Sequence, residues 1–175
     1  TLVNKGLEVI EAKWLYDVDY DQIEVVVHPQ SIVHSMVQFA DGAVMAQLGS
    51  TDMRLPIQYA LTYPNRIGSD FARLDFAAMQ ELTFSAPDMD TFRGLALAYE
   101  AGRRGGTMPC AMNAANEVAV AAFLAGDIGF LDIYTVIEKT MQAHQVKVAP
   151  ALSDLYAVDE WARALACDVM KKLRE

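Results

Sequence analysis

Ile32-Val33-His34-Ser35-Met36-Val37-Gln38-Phe39-Ala40-Asp41-Gly42-Ala43-Val44-Met45-Ala46-Gln47-Leu48 sets two β-rich runs around an Asp-Gly dipeptide. Asp-Gly suits a type I′ turn, whose twist matches that of the flanking strands, so residues 32–39 and 43–48 are expected to form a hairpin. Alternation puts Val33, Val37 and Phe39 on one face, read as core. His34, Met36 and Gln38 fall on the other, where Met45 and Gln47 join them across the ladder. Just upstream, residues 23–27 are nearly all apolar, as in a strand buried on both faces. His28-Pro29-Gln30 ends that run, because proline donates no hydrogen bond and restrains the residue before it.

Downstream the period changes. A short helix is expected over residues 51–63, with Pro56 tolerated near its start and Pro64 ending it. Residues 65–90 form a long connector with one strand-like piece, Leu82-Thr83-Phe84, and mark a module boundary. Four helices follow. The first runs over 92–101 and is ended by Gly102, and the second is alanine-rich, with Pro109 near its start and Gly126 at its end. The third begins near Leu131 and carries Ile133, Val136, Ile137, Thr140, Met141 and His144 on one stripe. After Pro150, the last carries Leu155, Val158, Ala162, Leu165, Val169 and Leu173. The expected class is α+β: residues 1–64 form part of a hairpin-containing module with flanking helices, 65–90 a linker, and 91–175 a four-helix bundle.

Composition narrows the function. The 175 residues suffice for one substantial core or two small modules. Hydrophobic residues make up 53% of the chain, yet no apolar run reaches the roughly eighteen residues of a membrane span, so a soluble protein is expected. A net charge of −9, without a basic stripe, argues against nucleic acid and anionic membranes as partners. Cys110 and Cys167 lack metal-ligand spacing and read as reduced, buried small hydrophobes of a cytoplasmic protein. The first residue is Thr1, with no initiating Met or leader, so the N-terminus is expected to be a cut inside a longer protein.

Candidate chemistry lies in Asn4-Lys5-Gly6-Leu7-Glu8, within a helix expected to reach about Tyr16. At helical spacing Asn4, Lys5 and Glu8 share a face. The carboxylate is a hard ligand for Mg²⁺ or Mn²⁺, and the ammonium and amide can hold phosphate or hydroxyl oxygens. The same residues also read as a helix cap, Asn4, and a solvated i,i+3 ion pair. The polar Asn113 to Glu117 string reads as hydrogen bonding between helices, and His28 and His144 as structural.

Asn4-Lys5-Gly6-Leu7-Glu8, His28-Pro29-Gln30-Ser31, Val33-His34-Ser35-Met36-Val37, Asp52-Met53-Arg54-Leu55-Pro56-Ile57 and Asn113-Ala114-Ala115-Asn116-Glu117 resemble, in order and spacing, the C-terminal half of 1-deoxy-D-xylulose 5-phosphate reductoisomerases. The resemblance implies an NADPH- and divalent-metal-dependent enzyme of non-mevalonate isoprenoid biosynthesis. That enzyme rearranges and reduces its phosphorylated sugar substrate to 2-C-methyl-D-erythritol 4-phosphate. It further implies Glu8 as a metal-binding and catalytic carboxylate, Asn4, Lys5 and Glu8 as substrate-binding residues with Lys5 also catalytic, His34 as a catalytic histidine, and Met53 against the nicotinamide of the cofactor. A homodimer is implied as well. No glycine-rich dinucleotide loop follows a strand, and the partner carboxylates of the family are missing, so this chain alone is expected to be inactive. The competing expectation is a non-catalytic assembly module in which the hairpin pairs with a second copy.

Overall fold

The computed structural model describes residues 1–79 and 81–173. Gln80, in the expected linker, and Arg174 and Glu175, at the end of the expected bundle, lie outside the described residues. In chain order the elements are α1 (Val3–Tyr16), a 3-10 turn (Tyr20–Gln22), β1 (Val33–Gln38), β2 (Val44–Leu48), α2 (Arg54–Thr62), α3 (Arg93–Arg104), α4 (Met108–Leu124), α5 (Asp132–Ala143) and α6 (Leu152–Leu173). The class is α+β, as expected.

Two compact units divide the chain. One joins Thr1–Val25 to Asp88–Glu175, and the other is Val26–Pro87. This differs from the expected boundaries, which kept α1 with the hairpin and treated residues 65–90 as a linker. The reason is burial: Val3 and Val9 are 2% exposed, and Val3 belongs to the core shared by α3, α4, α5 and α6.

The helical unit follows the sequence periodicity. All six residues of the stripe around α5 are buried. On α6, Ala162 and Val169 are buried with Ala166 and Met170, while Leu155, Val158, Leu165 and Leu173 are half-buried. α4 packs on both α5 and α6, and its Ala111, Ala114, Ala115 and Ala119 are wholly buried, so small side chains bring the helices close. α3 runs on through Gly102 to Arg104. A Cβ at Gly102 would collide with the Tyr20 ring, so this glycine makes room for packing instead of ending the helix. Cys110 is half-buried, but Cys167 is exposed on the outer face of α6, contrary to expectation. Ala166, its neighbour in sequence, takes the buried position there.

In the second unit the hairpin forms, with a different turn. The Gly42 N–H donates to Phe39 O at 2.9 Å and the Phe39 N–H to Ala43 O at 2.8 Å. Gly42 has φ 86° whereas Asp41 is not at positive φ, so the loop is the three-residue Ala40-Asp41-Gly42 and not a type I′ pair. One extra loop residue shifts the register by one and turns β2 over. Met45 therefore pairs with Val37 and Gln47 with Ser35, and neither lies beside Met36 or Gln38 as expected. Nor is the expected core face buried: Val37 is 58% and Phe39 49% exposed. Residues 23–27 form no strand, and among the described residues only Val27 pairs, in a single bridge to Ser85. Isolated pairing of this kind leaves Val26 and Val27 exposed.

His144 joins three parts of the bundle. Its Nε2 lies 2.7 Å from the Thr107 hydroxyl, which accepts the Lys147 N–H at 3.0 Å, and its ring lies 5.2 Å from that of Trp161. Burial, aided by the positive Arg104, holds this imidazole below its ordinary pKa. The unfolded chain then binds the proton more readily, so the stabilisation is present above about pH 6.5 and is lost as pH falls through that value toward the folded pKa. Urea midpoints at about pH 7.5 and 5.5 should therefore differ more for the native chain than for His144→Gln. Equal differences would remove His144 as the cause.

Candidate functional site

The site is built on α1, and its position is set by how closely α1 crosses α3. Val3, Gly6 and Val9 face inward, which leaves Asn4, Lys5 and Glu8 on the exposed face. A Cβ placed on Gly6 would collide with the Ala98 Cβ, and one on Gly94 with Val3 and the Thr1 carbonyl. Two glycines and an alanine therefore allow backbone to meet backbone. A glycine within a helix lowers its propensity by roughly 1 kcal/mol, so its use here has to be offset by that contact.

On the outer face, the Asn4 amide donates to Glu8 Oε1 at 2.9 Å and the Lys5 ammonium to Glu8 Oε2 at 2.5 Å. The Lys5 and Glu8 side chains are 45% and 46% exposed. Both carboxylate oxygens thus carry a donor, and both donors can be surrendered to a ligand from solvent, since an exposed pair of this kind is worth about 0–1 kcal/mol. Such a face can receive a phosphorylated, oxygen-rich molecule. Glu8 by itself does not make a divalent-cation site, because Mg²⁺ takes about six oxygen ligands. Among the described residues no group of three His, Cys, Asp or Glu side chains gathers. Glu8 can therefore supply one ligand of a set completed by other groups.

His34 and Met53 belong to the second unit. His34 is exposed on β1. The register shifts between Val33, opposite Leu48, and Ser35, opposite Gln47, so His34 is the extra residue at an irregularity of the ladder. Met53, 60% exposed, immediately precedes α2. It stands between Asp52 and Arg54, whose side chains clasp each other at 2.6–3.0 Å. Asp52 also accepts the Arg54 N–H at 3.0 Å, and the Arg54 guanidinium lies 4.6 Å from the Phe71 ring centre. Hydrogen bonds from Arg54 hold the Asp52 carboxyl below its ordinary pKa.

Sequence reasoning missed the fastening of the turn at residues 28–31. His28 Nδ1 donates to Thr83 O at 2.8 Å, and the ring stacks on Phe84 at 4.6 Å. Its Nε2 is buried without a hydrogen-bond partner. The Gln30 amide donates to Thr83 Oγ1 at 2.8 Å and accepts from the Thr83 N–H at 3.3 Å and hydroxyl at 3.1 Å. Ser31 then takes φ 52°, a left-handed conformation rare outside glycine. The Asp52–Arg54 clasp could have been suspected from its spacing. No local signal announces a partner 53 residues away. The Asn113 to Glu117 string does link helices, since Arg163 of α6 donates to Glu117 at 2.6 Å as well as to Asp159.

The sequence model described as DXP reductoisomerase C-terminal domain matches residues 48–165. The 1-deoxy-D-xylulose 5-phosphate reductoisomerase of Ruminiclostridium cellulolyticum is 61% identical over 166 residues, which cover 95% of this chain and 44% of that protein. That of Heliobacterium modesticaldum is 54% identical over 175 residues, covering 100% of this chain and 45% of its own. Among solved structures, the Zymomonas mobilis enzyme in complex with NADPH superposes with a TM-score of 0.91 at 46% identity, over 97% of this chain and 45% of that one. A DOX-P reductoisomerase in complex with NADPH, fosmidomycin and magnesium gives 0.94 at 40% identity, over 99% and 45%. The chain belongs to the 1-deoxy-D-xylulose 5-phosphate reductoisomerase family. It spans less than half the length of these relatives.

The α1–α3 crossing gives a direct test. Alanine at Gly6 would gain about 1 kcal/mol of helix propensity but overpack the crossing by about 1–3 kcal/mol. Gly6→Ala is therefore expected to lower stability in urea and to increase amide exchange along α1. A stabilised variant would refute the close contact.

Proposed function

We propose that this chain supplies the substrate-holding face of an NADPH- and divalent-metal-dependent reductoisomerase, which converts 1-deoxy-D-xylulose 5-phosphate to 2-C-methyl-D-erythritol 4-phosphate, and that it is inactive by itself. The observation that carries this reading is the amide, ammonium and carboxylate of Asn4, Lys5 and Glu8 on one exposed helical face. Family membership and the ligands named for its structural neighbours, NADPH, fosmidomycin and magnesium, support it. On this reading Lys5 and Asn4 hold the phosphate and hydroxyl oxygens. Glu8 gives one carboxylate to the cation, whose chemistry when bound is to polarise the substrate carbonyl. His34 assists near the reacting carbons, and Met53 packs against the nicotinamide. The activity belongs to the non-mevalonate isoprenoid route and to the cytoplasm.

The test is NADPH consumption that depends on 1-deoxy-D-xylulose 5-phosphate and Mn²⁺. It should be run for this chain and for a full-length family enzyme carrying this segment. Glu8→Gln should cost the full-length enzyme roughly 100-fold or more in turnover, with stability changed by less than about 1 kcal/mol. The chain alone should be silent. Turnover surviving in Glu8→Gln would remove Glu8 from the site.

A second reading, an assembly module, is favoured by the hairpin. Val37, Phe39 and Met45 share one face and are 58%, 49% and 66% exposed, more apolar surface than a free two-stranded ribbon is expected to leave in water. A second copy would cover it, giving a homodimer. Sedimentation should then show a dimer that Met45→Glu dissociates; a monomeric native chain would end this reading.

A further inference from the structure

We propose that Gln30 and Thr83 are positioning residues for His34, an inference that rests on His34 belonging to the site. Among the described residues the two-stranded sheet gains no further strand: every residue of β1 and β2 is exposed or half-exposed, and β1 pairs with β2 alone. A lone hairpin is marginal in water, so the conformation in which β1 starts depends on what precedes it. The residues before β1 are fastened on three sides. The ring of His28 is held between the Thr83 carbonyl and the Phe84 face, and the Gln30 side chain engages both the backbone and the hydroxyl of Thr83. The bridge between Val27 and Ser85 closes the far end with bonds of 2.8 and 3.0 Å.

The fastening passes directly to His34. The turn is closed by the Ser31 N–H donating to His28 O at 3.0 Å, with Ser31 at φ 52°. A left-handed conformation is unfavourable at a serine and persists only where neighbours over-determine it. Ile32 O then accepts the Gly49 N–H at 3.0 Å, Val33 pairs with Leu48, and the ladder irregularity falls on His34. Release of Gln30 from Thr83 would let Ser31 return to an ordinary conformation. The ladder could then regularise, and a one-residue slip turns His34 to the opposite face.

Two readouts separate this proposal from the reading beneath it. Thr83→Val keeps the β-branched shape but loses the hydroxyl that both donates to and accepts from Gln30, and Thr83→Ser restores it. In this chain, which has three histidines, Thr83→Val should move the His34 imidazole Hε1 resonance, and Thr83→Ser should return it. This requires no activity. In a full-length family enzyme carrying the segment, Thr83→Val should lower kcat/KM roughly tenfold, as expected of a displaced group, and should add nothing in a His34→Gln background. An unmoved resonance, or losses that add in the double variant, overturns the proposal. Full turnover in His34→Gln alone overturns the role of His34, while the resonance shift still decides whether Thr83 positions it.

Discussion

The close crossing of α1 on α3 is the contact on which the helical unit depends. Gly6 meets Ala98, and Gly94 meets Val3 and the Thr1 carbonyl, with no room for another carbon on either glycine. This proximity lets Val3, Leu7 and Ile10 reach the core formed by α3 to α6. It also fixes the rotation of α1 about its axis. Since Gly6 must face inward, residues two before, one before and two after it face solvent, and those are Asn4, Lys5 and Glu8. Packing and presentation of the polar triad are consequences of one constraint.

Much of this was legible. The stripes of α5 and α6 are long, regular and apolar, and a 3.6-residue period of that strength leaves few alternatives. Ala111 to Ala119 announced close helix packing by composition alone. The hairpin was legible as an element but not in its register, because Asp41-Gly42 fits a two-residue and a three-residue loop alike. The choice between them decides whether Met45 faces Val37 or Gln38. The assignment of α1 was missed for another reason. Its amphipathic face shows that it packs, but a sequence does not say against what, and its partner begins only at Arg93.

The candidate site divides along the same lines. Asn4, Lys5 and Glu8 lie within one helical turn or so, and their meeting follows from local geometry. The surroundings of His34 do not, since Thr83 reaches Gln30 from the far end of a segment that reads as a connector. Residues 82–85 are too short a run to count as a strand by themselves. They acquire a defined conformation because His28 and Gln30 supply the hydrogen-bond partners that a neighbouring strand would otherwise give.

The helical unit is assembled from both ends of the chain, with Val26–Pro87 intervening. During synthesis α1 therefore leaves the ribosome well before α3 exists, and in that interval its inward residues Val3 and Val9 lack the partners that α3 provides, although Val9 can already meet Tyr20 and Ile23. The hairpin unit, being continuous, can close first and draw the two ends of the interruption together. The entropy of loop closure rises only by about 0.6 kcal/mol per doubling of length, so the delay is one of order in time more than of final stability. Until the later helices appear, the inward face of α1 lacks the α3 surface that covers it, and unpaired apolar faces of this kind are what chaperones hold.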